Sequence, residues 1–426
     1  MPRLQEEGSG PVHGFWMSTV GSARPTETGT VHQPTGLDLA MKLHYIKSVY
    51  IYSAETTRDL TVMHVKETFF TVLDQISWIT GRLRRRDSGR PFIKCNDCGT
   101  RVVESQCDLT VDEWLCAPDR SVDESLVYHQ PIGPELAYSP LIYIQMTRFK
   151  CGGLAIGFSW AHIIGDPHSL SHFFNLWTRA LAGEQIYFPK TSDLERCFQN
   201  PNSTGKEPVS IKRVDPVGDL WVAPSNSKMT TYSFNVLTVT NIKTNFPANG
   251  NVFEILSGII WKCIAKSRGE PEPVTITIIR SDPNGLKPRV VRNSQMISSV
   301  HVDFSVAEAK LEEIVKAIGK ATDERSEINK IGESDDGALD FVVYGAKLTF
   351  VDMSEVGFYD AKVKDTSPRS VYCNVQGIGD DGEVVVLPAA VEEEMVVTVT
   401  LPEDEIEKVK WELKKCGLIK ALINGE

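Results

Sequence analysis

The stretch CGGLAIGFSWAHIIGD, residues 151–166, decides how the rest of the chain is interpreted. Leu154 to Trp160 is short, apolar and rich in large side chains, and a glycine pair precedes it. These features favour a buried strand over the start of a helix. The strand leads into His162, and Asp166 follows four residues later. Because rigid backbone holds a histidine at the end of such a strand, its ring can be directed at a reacting group.

His162 has the chemistry of a general base, and Asp166 has two possible roles. An unperturbed imidazole has a pKa near neutrality, so it can take up and return a proton at working pH. Asp166 could form a salt bridge with a basic side chain and fix the loop, or it could orient the ring. The spacing H-x-x-x-D alone is weak evidence, since a buried histidine more often serves packing than catalysis.

The sequence around this motif carries more information than the motif alone. TRFKCGGLAIGFSWAHIIGDPHSLSHFF, residues 147–174, resembles the strand, loop and helix of the BAHD acyltransferases, which have H-x-x-x-D-G at this place. His162 and Asp166 match that motif, and Ser169 matches its D-G-x-S extension. Pro167 stands where the family has glycine. Because proline fixes φ and lacks an N–H, we expect the loop after Asp166 to differ from that of the family.

The resemblance extends over nearly the whole chain from about Gln33 and implies a fold. The family has an α/β fold, in which two similar chloramphenicol-acetyltransferase-like α/β domains flank a channel and a long crossover loop joins them. Proline-rich sequence over 185–230 is consistent with such a loop. We expect a flexible segment over 1–32, an N-terminal domain over 33–188, a crossover linker over 189–228 and a C-terminal domain over 229–426.

The resemblance also implies a reaction. Acyl-CoA enters the family's channel from one side, and an alcohol or amine enters from the other. The histidine takes the acceptor's proton as the acceptor attacks the thioester, without a metal or a bound cofactor. His162 is therefore the candidate general base, and Asp166 and Asp352 are candidates for an orienting or structural role. Acyl-CoA is the expected substrate or ligand.

A second family motif, D-F-G-W-G, is only partly present. The corresponding residues are DMSEVG, 352–357, of which Asp352 alone matches. In the family this motif is structural and its aspartate pairs with an arginine, so Arg280 is the candidate partner here. The family's Y-F-G-N segment has no counterpart near 285–300. These losses argue against ordinary acyl transfer.

The altered pattern is similar to that of one branch of the family, the Eceriferum/Glossy-type plant proteins. The resemblance lies in LDLAMKLHYIKSVY (37–50), FKCGGLAIGFSWAHIIGD (149–166) and YGAKLTFVDMSEV (344–356). It implies a role in very-long-chain fatty acid elongation for cuticular wax, with the ketoacyl-CoA synthase of the elongase, at the cytosolic face of the endoplasmic reticulum.

Three hypotheses remain open. The protein is an accessory subunit of the condensing enzyme that does no chemistry. Alternatively, it is an acyl-CoA-dependent acyltransferase with His162 as the base. In the third, it is a folded relic in which His162 and Asp166 only hold a loop.

Composition excludes several other classes of function. The formal net charge of −11 makes broad binding to nucleic acid unfavourable. We find no apolar run approaching the roughly 20 residues of a membrane span and no secretory signal at the N-terminus. Nine scattered cysteines favour reduced thiols in a cytoplasmic protein. We expect a monomer apart from its partner.

Two short clusters allow a functional interpretation and a structural one. Cys95 and Cys98 form a C-x-x-C that could hold zinc or do redox chemistry, but CNDCG also matches the family's C-N-D-x-G hairpin. We therefore favour a turn. Arg82 and the run 84–86 could meet an anionic membrane surface or a phosphate. A solvated hairpin face is the favoured interpretation.

Overall fold

The computed structural model describes residues 10–116, 124–187, 207–236, 239–282, 290–334, 339–391 and 393–419. Its strands are β1 Val12–Val20, β2 Val31–His32, β3 Tyr45–Tyr52, β4 Arg82–Arg85, β5 Pro91–Lys94, β6 Thr100–Cys107, β7 Ile142–Phe149, β8 Leu154–Ala161, β9 Lys212–Val214, β10 Met229–Val236, β11 Thr275–Arg280, β12 Met296–His301, β13 Thr322–Asp323, β14 Asp340–Val342, β15 Leu348–Asp352, β16 Ser370–Gln376, β17 Glu383–Pro388 and β18 Met395–Pro402. Its helices are α1 Gly36–Ala40, α2 Ala54–Thr57, α3 Val62–Gln75, α4 Val111–Leu115, α5 Pro167–Leu181, α6 Val239–Asn245, α7 Val252–Arg268, α8 Leu311–Ile318, α9 Arg325–Ser334 and α10 Glu403–Lys415.

Two large sheets organise the chain, one in each half. The N-terminal sheet has the order β1-β6-β7-β8-β3-β16, and the C-terminal sheet has the order β10-β18-β17-β15-β11-β12-β13. The prediction of two α/β domains is therefore confirmed. The sequence also predicts an antiparallel pair of strands from 139–149 and 151–160 around Lys150, and β7 and β8 form that pair.

Strand β8 lies within the N-terminal sheet, as its apolar sequence predicts. It pairs antiparallel with β7 and β3, and all eight of its residues are buried. A Cβ at Gly157 would lie 2.0 Å from the carbonyl oxygen of Leu126, so only glycine fits there. Helices α3 and α5 pack on each other, and the rings of Phe69 and Trp177 stack 4.8 Å apart. The strand thus delivers His162 to a fixed position.

The helical spacing of apolar residues from Val62 to Ile79 predicts a helix that Thr61 caps and Gly81 ends. The helix is present as α3, but it ends earlier than predicted. Thr61 caps the start of α3 by accepting a hydrogen bond from the His64 N–H. The helix ends at Gln75, and residues 77–80 form a separate 3₁₀ turn. Gly81 follows that turn in extended backbone, where a Cβ would lie 2.4 Å from the Lys94 carbonyl oxygen. Close packing, rather than helix termination, explains this glycine.

The predicted domain boundaries need two corrections. The segment 1–32 is not loose where the structure describes it, because β1 pairs along β6 and closes one edge of the N-terminal sheet. Strand β16 lies far along the C-terminal half in sequence, yet it pairs with β3 at the other edge of the same sheet. In the crossover linker, β9 pairs with β14 and Trp221 is buried. Residues 188–206, which include the first part of the predicted linker, lie outside the described residues.

One face of the C-terminal sheet packs under α7, α8 and α10, and the other faces the N-terminal half. Side chains alternate between the faces along each strand. On the inner face, a row of polar residues follows the strand register across six strands. We call it the polar row, and it consists of Thr231, Thr400, Glu383, Thr349, Thr277 and Ser299.

The two ambiguous clusters have structural roles in the described chain. The Arg82 side chain is buried, contrary to the prediction of a solvated face, and its guanidinium donates to the carbonyl oxygens of Thr80 and Gly81. Arg85 pairs with Asp219. Cys95 is buried and Cys98 is exposed. The described residues contain no group of three or more His, Cys, Asp or Glu placed to hold a metal ion. None of the described helices is long and apolar enough to cross a membrane.

Candidate active site between the two halves

His162 lies at the boundary between the halves, and both halves hold its backbone. It begins a 3₁₀ turn over His162–Ile164, directly after β8, and it is fully buried. Its N–H donates to the carbonyl oxygen of His44 over 3.0 Å. Its own carbonyl oxygen accepts from the Asn293 Nδ2 over 2.8 Å. The backbone of His162 is therefore held by His44, which immediately precedes β3, and by Asn293 of the C-terminal half.

The imidazole of His162 is engaged by Tyr344. The Tyr344 hydroxyl lies 2.8 Å from the His162 Nε2, and the Gln295 Nε2 donates to that hydroxyl over 3.1 Å. Burial lowers the pKa of His162 to about 4, so the ring is neutral at neutral pH. A neutral ring can accept at Nε2, which gives a chain of donors from Gln295 through Tyr344 to His162. The Nδ1 atom has no hydrogen-bond partner in the described structure.

Asp166 connects helix α5 to the C-terminal half. Its Oδ1 accepts from the Ser169 N–H over 2.9 Å and so caps the helix. Its Oδ2 accepts from the Ser294 N–H over 2.8 Å and from the Ser294 Oγ over 2.9 Å. Pro167 is accommodated as the first residue of α5, where a helix needs no N–H donor. These bonds fix the loop, and the hydrogen bond to the ring comes from Tyr344 instead.

His44 and Asp38 bring further buried polar groups to the same boundary. The His44 Nε2 accepts from the Val343 N–H over 3.0 Å, and burial lowers the pKa of His44 to about 3. The Asp38 Oδ1 accepts from the Asn293 Nδ2 over 2.8 Å. Burial raises the pKa of Asp38 above its usual value. Both residues belong to the N-terminal half, and each is paired with a group from the C-terminal half.

Glu383 is a buried acid in the polar row. Neither of its carboxyl oxygens has a hydrogen-bond partner among the described residues, and the residue is almost completely buried. Burial raises the pKa of Glu383 well above its usual range. It lies close enough to Tyr344 and Cys373 for its charge to raise the pKa of each. A neutral, protonated acid is the form that this environment favours.

Among the described residues, Asp352 forms hydrogen bonds with its sequence neighbour Ser354. The prediction that Asp352 pairs with Arg280 is wrong. The Asp352 Oδ1 accepts from the N–H and the Oγ of Ser354, over 3.1 and 2.6 Å. Arg280 pairs instead with Glu254 over 3.3 Å, and its guanidinium lies 5.1 Å from the ring centroid of Phe253. Helix α7 covers this face of the sheet and supplies the acid that takes the arginine.

A separate cavity of about 400 Å³ lies further along the boundary. Its lining comes from both sheets and includes Ser233, Leu387 and Thr398 on one side and Val371 and Tyr372 on the other. His162 is not part of the lining. The cavity therefore offers space for a ligand at a place that His162 does not line.

Sequence reasoning missed the residues of the C-terminal half that complete the site. They are Asn293, Ser294, Gln295 and Tyr344, with Glu383 behind them. In 285–300 and 344–357, sequence reasoning considered the loss of the family's Y-F-G-N and D-F-G-W-G motifs. It did not consider what the residues present could contact. The pattern YGAKLTF did mark position 344, but a contact across 182 residues leaves no periodic signal in the sequence.

Comparisons with known proteins agree with the resemblance. A family model described as "Transferase family" matches residues 18–415. The chain is 73% identical to "Protein ECERIFERUM 26-like" from Arabidopsis thaliana, over 99% of this chain and 100% of that protein. It is 66% identical to "Protein ECERIFERUM 26" over 98% and 100%, and 35% identical to "Protein ECERIFERUM 2" over 96% and 99%, both from Arabidopsis thaliana.

Solved structures share the fold at low sequence identity. Vinorine synthase has a TM-score of 0.72 at 17% identity, covering 94% of this chain and 97% of its own. F. graminearum TRI101, in complex with coenzyme A and T-2 mycotoxin, has a TM-score of 0.68 at 14% identity, covering 90% and 97%. These likenesses establish the two-domain architecture.

Proposed function

The chain belongs to the transferase family, in the Eceriferum branch of the BAHD acyltransferases, and from that premise we propose that it promotes very-long-chain fatty acid elongation for plant cuticular wax. It acts as an accessory partner of a ketoacyl-CoA synthase, the condensing enzyme of the elongase. It works at the cytosolic face of the endoplasmic reticulum, where it meets acyl-CoA or the growing acyl chain.

The observation that carries the accessory role is the engaged state of His162. A general base must come within about 2.6–3.2 Å of the acceptor atom whose proton it removes. The Tyr344 hydroxyl lies at that distance from the His162 Nε2, and the ring is fully buried. An external alcohol has no place beside this atom. A protein that binds without transferring fits this geometry better than an acyltransferase does.

A second candidate function is acyl-CoA-dependent transfer to an alcohol or amine. The position of His162 at the end of a buried strand favours it, because the ring is neutral and directed across the boundary of the halves. The fold is shared with TRI101, whose structure is described as a complex with coenzyme A. In this function His162 is the base, and Tyr344 has to leave Nε2 before an acceptor can bind.

Chain-length profiling in cells that make a plant ketoacyl-CoA synthase separates the two candidates. The cells receive no further protein, the wild type, or His162→Ala. We expect the His162→Ala protein to lengthen the products as well as the wild type does, because binding does not need the base. His32→Ala is the matched control, since it removes a ring that stacks on Trp78 away from the site.

Two results would contradict the accessory role. The first is loss of lengthening in His162→Ala while His32→Ala retains it and both proteins are made in equal, folded amounts. That result favours acyl transfer. The second is the absence of any complex with the synthase when the protein is purified from membranes of these cells.

A further inference from the structure

The environment of Tyr344 has a consequence for which molecules can react at His162. We propose that Tyr344 is the residue that excludes external acceptors from His162, because its phenol hydroxyl occupies the position that an acceptor hydroxyl would take. The inference goes beyond the accessory role and does not depend on it. It concerns why an intact histidine and aspartate motif is closed in this chain.

The hydroxyl of Tyr344 has the geometry of a bound acceptor. Its distance of 2.8 Å from the His162 Nε2 is that of an alcohol about to lose its proton to a base. The Gln295 Nε2 donates to the same oxygen and holds it in place. Tyr344 is fully buried, and its ring lies between two histidines, with centroids 5.0 Å from His44 and 5.5 Å from His162.

The backbone around Tyr344 prevents the side chain from moving away with its loop. The Val343 N–H before it donates to His44, and the Gly345 N–H after it donates to the Thr349 Oγ1 over 3.0 Å. The Tyr344 carbonyl oxygen accepts from the Gly379 N–H over 2.9 Å. Gly345 has a φ of 76°, and a Cβ there would lie 2.5 Å from the Gly379 carbonyl oxygen. The phenol is thus held at Nε2 from both sides.

Removal of the phenol should reveal the chemistry of His162. A small alcohol could then bind with its hydroxyl at Nε2. His162 would take the hydroxyl proton as the alcohol oxygen attacks the thioester carbonyl of a long-chain acyl-CoA. The carbon–sulfur bond breaks, and the proton passes from His162 to the leaving sulfur. The products are an ester and free CoA. Water in place of the alcohol gives the fatty acid and CoA.

The test measures CoA release from palmitoyl-CoA by the purified full-length protein, with ethanol as the acceptor. We expect Tyr344→Ala to release CoA about 10- to 100-fold faster than the wild type, because general base catalysis contributes at least that much. The double variant Tyr344→Ala/His162→Ala should return to the wild-type rate. Tyr344→Phe removes the hydroxyl but keeps the ring, which leaves no room for ethanol, so its rate of ester formation should stay near that of the wild type.

The matched control is Tyr52→Ala. Tyr52 is also fully buried, and its hydroxyl donates to the Ala361 carbonyl oxygen at a different place in the fold. It should release no more CoA than the wild type. Tyr344→Leu serves as a second opened variant with a smaller cavity, in case Tyr344→Ala does not fold.

Three outcomes would overturn the inference. Tyr344→Ala or Tyr344→Leu could be folded, as judged by its melting transition, and yet inert. The gain could persist when His162 is also removed. The wild type itself could release CoA in a manner that depends on His162, or gain the mass of an acyl group that Tyr344→Phe does not gain. The two results of this third outcome, release of CoA by the wild type and its gain of an acyl group, need no opened variant to fold. None of these measurements bears on product length in cells.

Discussion

Each half has a motif aspartate near the end of a central strand, and the two have different roles. Asp166 follows β8 at the start of α5, and Asp352 is the last residue of β15. Asp166 caps α5 and accepts two hydrogen bonds from Ser294 in the other half. Among the described residues, Asp352 accepts only from Ser354, two residues away. The first aspartate connects the halves beside His162, whereas the second shapes its own turn. Agreement with a family motif therefore does not by itself say what the residue holds.

The difference teaches that the site depends on pairing across the halves. His162, His44 and Asp38 from one half are each paired with a group from the other, through Tyr344, Val343 and Asn293 respectively. The losses in the second family motif leave these pairs untouched. The part of the site that matches the family motif therefore joins the two halves structurally, and it is also the candidate active site. We call this set of pairs, together with that of Asp166 and Ser294, the joint.

The largest expected effect comes from breaking the joint at Asp166. Asp166→Ala removes a helix cap, worth about 1 kcal/mol. It also leaves the half-buried donors of Ser294 without this acceptor, at about 1–3 kcal/mol. We expect a loss of about 3 kcal/mol in the free energy of unfolding, measured by urea denaturation.

Asp352→Ala is the matched control for that experiment. It removes one short turn, and we expect it to cost less than about 1 kcal/mol. Equal losses in the two variants would contradict the distinction between the loops.

His162 should make the stability depend on acid pH. Its pKa is about 4 in the folded chain and about 6.5 in the unfolded chain, so the unfolded state binds the proton first as the pH falls. Stability from this group is present above pH 6.5 and is lost as the pH falls towards 4. Between pH 7 and pH 5 we expect a loss of about 2 kcal/mol that His162→Gln lacks.

Tyr52→Phe is the control for this pH effect, and it should keep the full acid dependence, because it alters a fully buried side chain without removing an imidazole. Other buried histidines contribute to the wild-type curve, so the difference between His162→Gln and the wild type is the quantity to measure. A difference that does not change with pH would show that the ring is not neutral and desolvated as described.

Glu383 sharpens the comparison, because its carboxyl group has no hydrogen-bond partner in the part of the chain that the structure describes. Its pKa is raised by burial, so the folded state holds the proton above the ordinary carboxyl pKa of about 4.3. Stability from this group is present below that value and is lost as the pH rises. Glu383→Gln should therefore gain stability relative to the wild type as the pH rises above that value, measured by urea denaturation.

Glu324→Gln is the matched control for Glu383→Gln. Glu324 is also buried, but it accepts hydrogen bonds from the N–H groups of Val209 and Ser210 and from the hydroxyls of Ser210 and Ser299. The Glu324→Gln variant should be less stable than the wild type at every pH, because the amide NH2 group replaces a carboxyl oxygen that accepts hydrogen bonds. If Glu383→Gln loses stability in the same way, the carboxyl group of Glu383 must accept hydrogen bonds, which contradicts the structure.

The smallest expected effect concerns Arg280. Its ion pair with Glu254 is partly exposed, so the coupling energy should be about 0.5–1 kcal/mol. A double-mutant cycle of Arg280→Met with Glu254→Gln measures it. The same cycle with Asp352→Asn should give a coupling near zero. Coupling to Asp352 as large as that to Glu254 would restore the family's ion pair.

The sequence predicted β8, its pairing with β7 and the position of His162, because local patterns carry that information, but it did not predict β1. The buried run before His162 and the cap at Thr61 are examples. It did not predict Tyr344 at Nε2, the partners of Asp166 or the placement of β16. Each of these depends on a contact between distant segments, and such contacts impose no spacing on the local sequence. The Arg280 partner was wrong because a family pairing was carried over after its motif had largely been lost.

The placement of β16 has a consequence for how the protein is made. Strand β3, YIKSVYIY, pairs with β8 on one side and with β16 on the other. The ribosome adds β16 about 210 residues after β8, a delay on the order of 10–40 s at ordinary rates of synthesis. During that time an apolar strand edge has no neighbour, and such edges invite aggregation. Chaperone protection of the nascent chain should therefore matter most in this interval, and it should end once residue 376 has left the exit tunnel.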